Sequence, residues 1–315
     1  MVQTGPGSAF GPALPRAASI LSILAPTLYT RSVRLAVIAD IHGNQGALDA
    51  VLADLGQTRP DRLYINGDVV NRGPDSVACM ERVLGLQGAE FTLGNHDDLM
   101  LLWQERSPAL PPEWLGDPFW GATAWSAEVL HAAGLLAPIR EWPMSLRPEF
   151  VGLPQVVLAH GSPAHYREAI GRFTTPERGA ELLSAAGAGV LVASHIHRPM
   201  LREQEGRWLI NTGAVGAPFD GDPSARYLLL DGADGAWQPS IRAVPYDRSG
   251  VLERFRTSGL LEAGGLSAEI FLEELKSARS IYTPFWDWTA ETGLDRDRAA
   301  LEAFRDQNPE LFLPA

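Results

Sequence analysis

Apolar positions fall in short runs separated by polar, glycine-bearing loops. Residues 33–39 (VRLAVIA) form one such run, the pattern of a strand covered on both faces. A loop at 40–44 leads into Ala47, Leu48, Val51, Leu52 and Leu55, spaced as one face of a helix that Gly56 and Pro60 end. Residues 62–66 (RLYIN) read as a second strand and 74–86 as a helix, with Pro74 acceptable in its first turn. Residues 91–93 read as a short third strand. Strand, loop and helix thus alternate through the first hundred residues, which predicts a layered α/β fold.

The alternation breaks between residues 99 and 150, where Trp103, Trp114, Phe119, Trp120, Trp125 and Trp142 are concentrated. This stretch reads as a helical insertion whose aromatics either bury area or line a substrate wall. Strand character returns at 155–159 (QVVLA), 190–193 (VLVA), 208–210 and 227–230. Beyond Tyr246 the pattern is helical and polar to the end. Residues 271–276 continue an amphipathic helix, and Trp286 and Trp288 are placed to pin this tail to the body. Three segments result: a leader at 1–32, a main domain at 33–246 and a helical C-terminal extension at 247–315. The leader begins its basic residues only at Arg16, and Pro26 interrupts its short apolar patch. It is expected to be disordered or a misassigned start rather than an export signal.

Composition narrows the function classes. The 315 residues are 45% hydrophobic and carry a net charge of -12, so no nucleic-acid partner is expected. The single cysteine, Cys79, cannot form an intrachain disulfide, and a reducing, cytoplasmic setting is expected. No run approaches the roughly 18 apolar residues of a membrane span, so no membrane partner is expected.

The chemistry-bearing residues sit where strands end. After the first strand comes Asp40-Ile41-His42-Gly43-Asn44, after the second Gly67-Asp68-Val69-Val70-Asn71-Arg72-Gly73, and after the third Gly94-Asn95-His96-Asp97. Later strands are followed by His160-Gly161-Ser162-Pro163 and Ser194-His195-Ile196-His197. Ligands of open α/β sheets bind beyond the carboxyl ends of strands, so five such loops can converge on one crevice. Each motif alone is an ordinary polar turn. Together they hold five of the seven histidines. Mixed carboxylate and imidazole donors suit Mn, Fe, Zn, Co or Ni better than Ca or Mg. An aspartate can bridge two cations through its two oxygens. His165, Tyr166 and Arg198 lie close by in sequence and either face a substrate or serve loop packing and solvation. Residues 211–216 (NTGAVG) are expected to form a tight turn without chemistry.

The order Asp-x-His, Gly-Asp, Gly-Asn-His, His, His-x-His resembles the calcineurin-like metallophosphoesterase superfamily, over residues 33–246. The stretches 40–44, 160–163 and 211–216 are similar to its small bacterial and archaeal phosphodiesterase branch. Residues 67–73 and 94–97 also resemble the branch of Ser/Thr phosphatases and diadenosine tetraphosphatases. The resemblance implies a four-layer α/β/β/α sandwich and two divalent metal ions, Mn foremost, with Fe, Ni, Zn or Co as alternatives. Asp40, His42 and His197 would bind one ion, Asn95, His160 and His195 the other, and Asp68 both. A water made acidic between them would attack a small phosphate-ester substrate. His96 would contact the phosphoryl group or protonate the leaving group, and Arg72 would clamp a non-bridging oxygen.

Two positions depart from the family pattern. Ser194 stands where the last motif usually has glycine, and Asn71 where the phosphatase branch has aspartate. Asn71 can accept a hydrogen bond from His96 but cannot stabilise its charged form, although Asp97 or Asp98 could compensate. This favours phosphodiesters over phosphomonoesters, phosphoproteins or dinucleoside polyphosphates as substrates. A non-catalytic scaffold on the same fold is the alternative from another class.

Overall fold

In the computed structural model, residues 32–315 are described. The proposed leader lies almost wholly outside them. Two five-stranded mixed sheets stack face to face. The first has the order β10-β9-β1-β2-β3, built from β1 (Val33–Ile38), β2 (Arg62–Ile65), β3 (Glu90–Phe91), β9 (Ala225–Ala233) and β10 (Ala236–Val244). The second has the order β4-β5-β6-β8-β7, from β4 (Ser145–Leu146), β5 (Val156–Ala159), β6 (Val190–Ala193), β7 (Met200–Gln204) and β8 (Arg207–Asn211). β1, β2 and β3 are parallel to one another, as are β5, β6 and β8.

The apolar runs follow from burial on both faces. Leu35 and Val37 of β1 meet Val156, Leu158, Val192 and Ile210 of the other sheet. Ala36 and Ile38 point the other way, into α1 (Gln45–Thr58), α2 (Ser76–Leu84), α3 (Asn95–Gln104) and α4 (Gly121–Ala132). The outer face of the second sheet is covered by α5 (Pro176–Ala185), through Leu182 and Leu183. The four-layer sandwich implied by the resemblance is therefore the observed fold. Each fully buried Leu, Ile or Val here contributes roughly 1.5–3 kcal/mol.

The sequence pattern misses β4, a two-residue strand inside the stretch read as helical, and β7, β10 and α5. β7 and β10 are sheet edges with alternating or mostly exposed residues, so neither shows an apolar run. Pro239 sits in β10, where one side carries no ladder to break.

The C-terminal segment is helical as expected: α6 (Ser249–Thr257), α7 (Leu260–Ser277), α8 (Tyr282–Thr292) and α9 (Arg298–Gln307). It shares its cores with the insertion. Ala122 of α4 packs among Phe255, Leu260 and Phe271, and Phe119 among Ile270, Phe285 and Phe304. A side chain at Gly121 would strike the backbone of Ala263 and Gly264. Trp114 stacks on Trp120 at 4.0 Å, and Trp286 meets both edge-on. Trp286 thus pins the tail to the insertion. Trp288 meets the rings of Phe285 and Phe304, both within the tail. The insertion tryptophans serve packing, and none lines the cleft described next.

Candidate metal centre

The five predicted loops meet at one edge of the sandwich. Their backbone is unusual. Among the described residues, twelve non-glycine residues have positive φ, and seven of them are Asp40, His42, Asp68, Asn71, Arg72, His195 and His197. Each such residue costs on the order of 1–3 kcal/mol, and such strain gathers at functional sites. Neighbouring loops hold these turns in place. Asp97, at the third position of α3, accepts from the amides of Asp68 (2.7 Å), Val69 (2.9 Å) and Gly94 (3.2 Å). A side chain at Gly94 would collide with Asp68. The 211–216 turn clamps the first loop, where Val215 and Gly216 donate to the carbonyls of Ala39 and Asp40. Asn44 caps α1 and holds Gly216 and Tyr246.

Asn66 ties the two sheets together at their carboxyl edge. Its amide donates to Ala159 O and Ser194 Oγ, and its side-chain oxygen accepts from Thr92. Ser194 also reaches Thr212 at 2.8 Å. The serine that replaces the usual glycine is therefore part of a buried polar network. Sequence reading missed Asn66, since an asparagine after a strand reads as a turn residue.

Six side chains gather here as two groups sharing Asp68. Ligand atoms of Asp40, His42, Asp68 and His197 lie within 4.8 Å of one another, as do those of Asp68, His160 and His195. Asp68 Oδ2 is 3.6 Å from His42 Nε2 and 3.2 Å from His160 Nε2. Asp40 Oδ1 is 3.3 Å from His197 Nε2. A bridging aspartate is expected to use two free oxygens. Here Asp68 Oδ1 accepts the His96 amide at 2.8 Å, so Oδ2 alone faces both groups. Asp40 divides its oxygens likewise, with Oδ2 taking the His195 amide.

The residues fit divalent cations on three counts. Asp40 Oδ1, Asp68 Oδ2, Asn95 Oδ1 and His160 Nε2 are buried with no hydrogen-bond partner, which is costly unless an ion satisfies them. His42, His160 and His197 pair Nδ1 with the carbonyls of Val70, Asn66 and Ala217 at 3.2, 2.8 and 2.6 Å. That partner fixes the tautomer and turns the Nε2 lone pair into the cluster. Finally, His42 Nε2 and His197 Nε2 face each other at 3.1 Å. Two lone pairs repel at that distance, yet nitrogens sharing one ion at about 2.1 Å stand roughly 3.0–3.4 Å apart. Burial also pushes His195 down to about 3 and lowers His42, holding both neutral. Burial opposes charge on His160 too, but with no cation in place Asp68 and Asp40 raise it to about 10, and an ion taken up by Nε2 would displace that proton.

Beside the cluster, the Asn71 side-chain oxygen accepts the Arg72 amide at 2.7 Å. This leaves its NH2 group facing His96 Nδ1 at 3.0 Å. The expectation that Asn71 accepts from this ring is thus reversed: Asn71 donates, and His96 carries its proton on Nε2. Burial, with Arg72 and Arg167 nearby, lowers His96 to about 3. Neither neighbouring acid compensates, because Asp97 holds the Asp68 loop and Asp98 accepts from Tyr166 at 2.7 Å. His165 is exposed and caps the amide of Arg167. Arg72 is buried, paired with Glu274 of α7 at 2.9 Å, and stacked 4.7 Å from the Phe271 ring. Its Nε has no partner. A cleft of about 380 Å³ opens over Asp68, Arg72, His96, His195 and His197, walled by Phe219, Thr283 and Pro284. Glu274 and this α8 wall gave no sequence signal, because they lie some two hundred residues from Arg72 in an ordinary amphipathic pattern.

A family model for calcineurin-like phosphoesterases matches residues 33–199, which carry all five motifs. The chain belongs to the calcineurin-like phosphoesterase family. Like the family, it is a metal-dependent phosphoesterase. A metallophosphoesterase from Sphaerobacter thermophilus is similar in structure, with a TM-score of 0.61 and 26% identity over 78% of this chain and 99% of that one. An uncharacterised protein of Methanocaldococcus jannaschii is 28% identical over 245 residues, 72% of this chain and 94% of its own. A symmetrical bis(5'-nucleosyl)-tetraphosphatase of Chromohalobacter salexigens is 37% identical over 106 residues, about a third of either chain. No helix among the described residues is long and apolar enough to cross a membrane.

Proposed function

We propose that this phosphoesterase hydrolyses phosphodiesters at a centre holding two divalent cations, manganese foremost. Asp40, His42 and His197 would hold one ion, Asn95, His160 and His195 the other, and Asp68 both. Two such cations supply Lewis acidity and lower the pKa of water, giving a nucleophile near neutral pH. Arg72, which lines the cleft, would hold a non-bridging oxygen. His96 donates Nε2–H to the phosphoryl group. Asn71 keeps that tautomer by donating to Nδ1.

The diester preference rests on Asn71. With His96 neutral and Arg72 balanced by Glu274, these side chains add no net positive charge, which suits a monoanionic diester better than a dianionic monoester. The buried Cys79 thiol agrees with a cytoplasmic setting. The test is hydrolysis of bis-p-nitrophenyl phosphate against p-nitrophenyl phosphate after chelation and Mn²⁺ repletion, with metal analysis of the same samples. Faster turnover of the monoester would overturn the preference, and no turnover of either with any divalent metal the whole reading. The partial likeness to the tetraphosphatase favours phosphoanhydrides as a second reading, which a dinucleoside tetraphosphate in the same panel decides.

A further inference from the structure

The protein is acidic overall, yet the mouth of the metal cleft is not. A second cleft of about 360 Å³ adjoins it, lined by Arg172, Arg198 and Arg279 with Phe219 and Asp220. Arg198 and Phe219 line both clefts, so they are continuous. The one lining carboxylate, Asp220, is engaged by Arg226 at 3.2 Å. None of the three arginines pairs with a carboxylate among the described residues. Arg198 spends only Nε, on Phe219 O. Arg279 spends Nη1 on the carbonyls of Ser277 and Leu313. Arg172 lies 4.5 Å from the Phe173 ring, and its side chain donates no hydrogen bond to any of the described residues. Several guanidinium N–H groups are therefore free at one place. Their planar forks match phosphate oxygens.

We infer that this cleft is a second anion site, which takes a further phosphate carried on the arm of the substrate whose ester bond is cut next door. The inference deepens the proposed function and rests on it for the position of the reacting phosphoryl group. It specifies the substrate as a phosphodiester with an additional anionic phosphate beyond the reacting one. A monoanionic reacting group and a polyanionic arm are compatible, because separate residues meet them.

Inorganic tripolyphosphate and inorganic phosphate serve as probes, each competing with bis-p-nitrophenyl phosphate at fixed free Mn²⁺. The readout is the ratio of the two inhibition constants within each protein. Chelation of the metal by tripolyphosphate acts equally on every variant. The wild type should prefer tripolyphosphate, and R172A/R279A should lose about tenfold of that preference, with R172K/R279K recovering part of it. An unchanged ratio in R172A/R279A overturns the inference. If the wild type turns over no ester, the proposed function fails separately. Calorimetric titration of tripolyphosphate into chelator-treated protein then decides, since equal heats, or none, in wild type and R172A/R279A overturn the anion site.

Discussion

Glu274 offers the sharpest test of how the C-terminal helices serve the centre. Its Oε2 pairs with Arg72, and its Oε1 accepts the amides of Ile281 and Tyr282 at 2.7 and 2.8 Å. The two side chains are 4% and 9% exposed, so solvent screens the pair little. Removing one partner of a buried pair costs roughly 3–5 kcal/mol. For a chain of this size, about 0.6 kcal/mol per degree, E274A should melt roughly 5–8 °C lower. E274Q keeps an acceptor for the α8 amides and removes only the charge, so it should melt in between. If Glu274 acts by aiming Arg72, losing that charge-assisted contact removes roughly 1.5–3 kcal/mol of transition-state stabilisation. The fall in kcat/KM on bis-p-nitrophenyl phosphate should then be roughly 10- to 150-fold. R72A should fall similarly, and R72A/E274A no further. A Glu274 variant that loses stability but keeps kcat/KM would refute the positioning role. Independent, multiplying losses in the double variant would refute it as well.

Other outcomes follow from the same geometry. Asn71→Asp places an acceptor beside His96 Nδ1, raises that histidine from about 3, and should increase turnover of monoesters with poor leaving groups; no gain would show that protonation at His96 is not limiting. Asp97 is held up at about 7, by burial first and then by the charge of Asp68. Its folded pKa exceeds the unfolded 3.8, so between about pH 4 and 7 the folded state keeps a proton the unfolded chain has released, and the contribution to stability falls as pH rises. Metal-free wild type should therefore lose stability relative to Asp97→Asn across that window in thermal melts, and parallel curves would contradict this. Chelation should lower the melting temperature, by about 4 kcal/mol of stability if the free ion had stood at a thousandfold its Kd, and Asp68→Asn should cut bound metal well below two ions per chain by elemental analysis.

Much of the centre was legible because its positions are fixed by strand ends. Runs such as residues 155–159 and 190–193 declare themselves by burial on both faces, and the next residue is then placed at the sheet edge. His160 follows its run directly, and His195 follows its own after Ser194. What the chain left unread is the work of distant partners. Glu274, Arg279 and the α8 wall reach the cleft through tertiary packing of an unremarkable amphipathic tail. The direction of the Asn71 amide could not be read from composition, since the Arg72 backbone decides it. The edge strands β7 and β10 stayed hidden because half-exposed residues carry no apolar run.

The left-handed turns of the five loops have a thermodynamic consequence. Replacing Asp40, Asp68 or His197 by glycine would relax a backbone that these side chains hold at a cost, as it also abolished a donor. The strain in these turns is offset where cations bind the side chains that the turns present, so the metal-free protein carries that cost uncompensated.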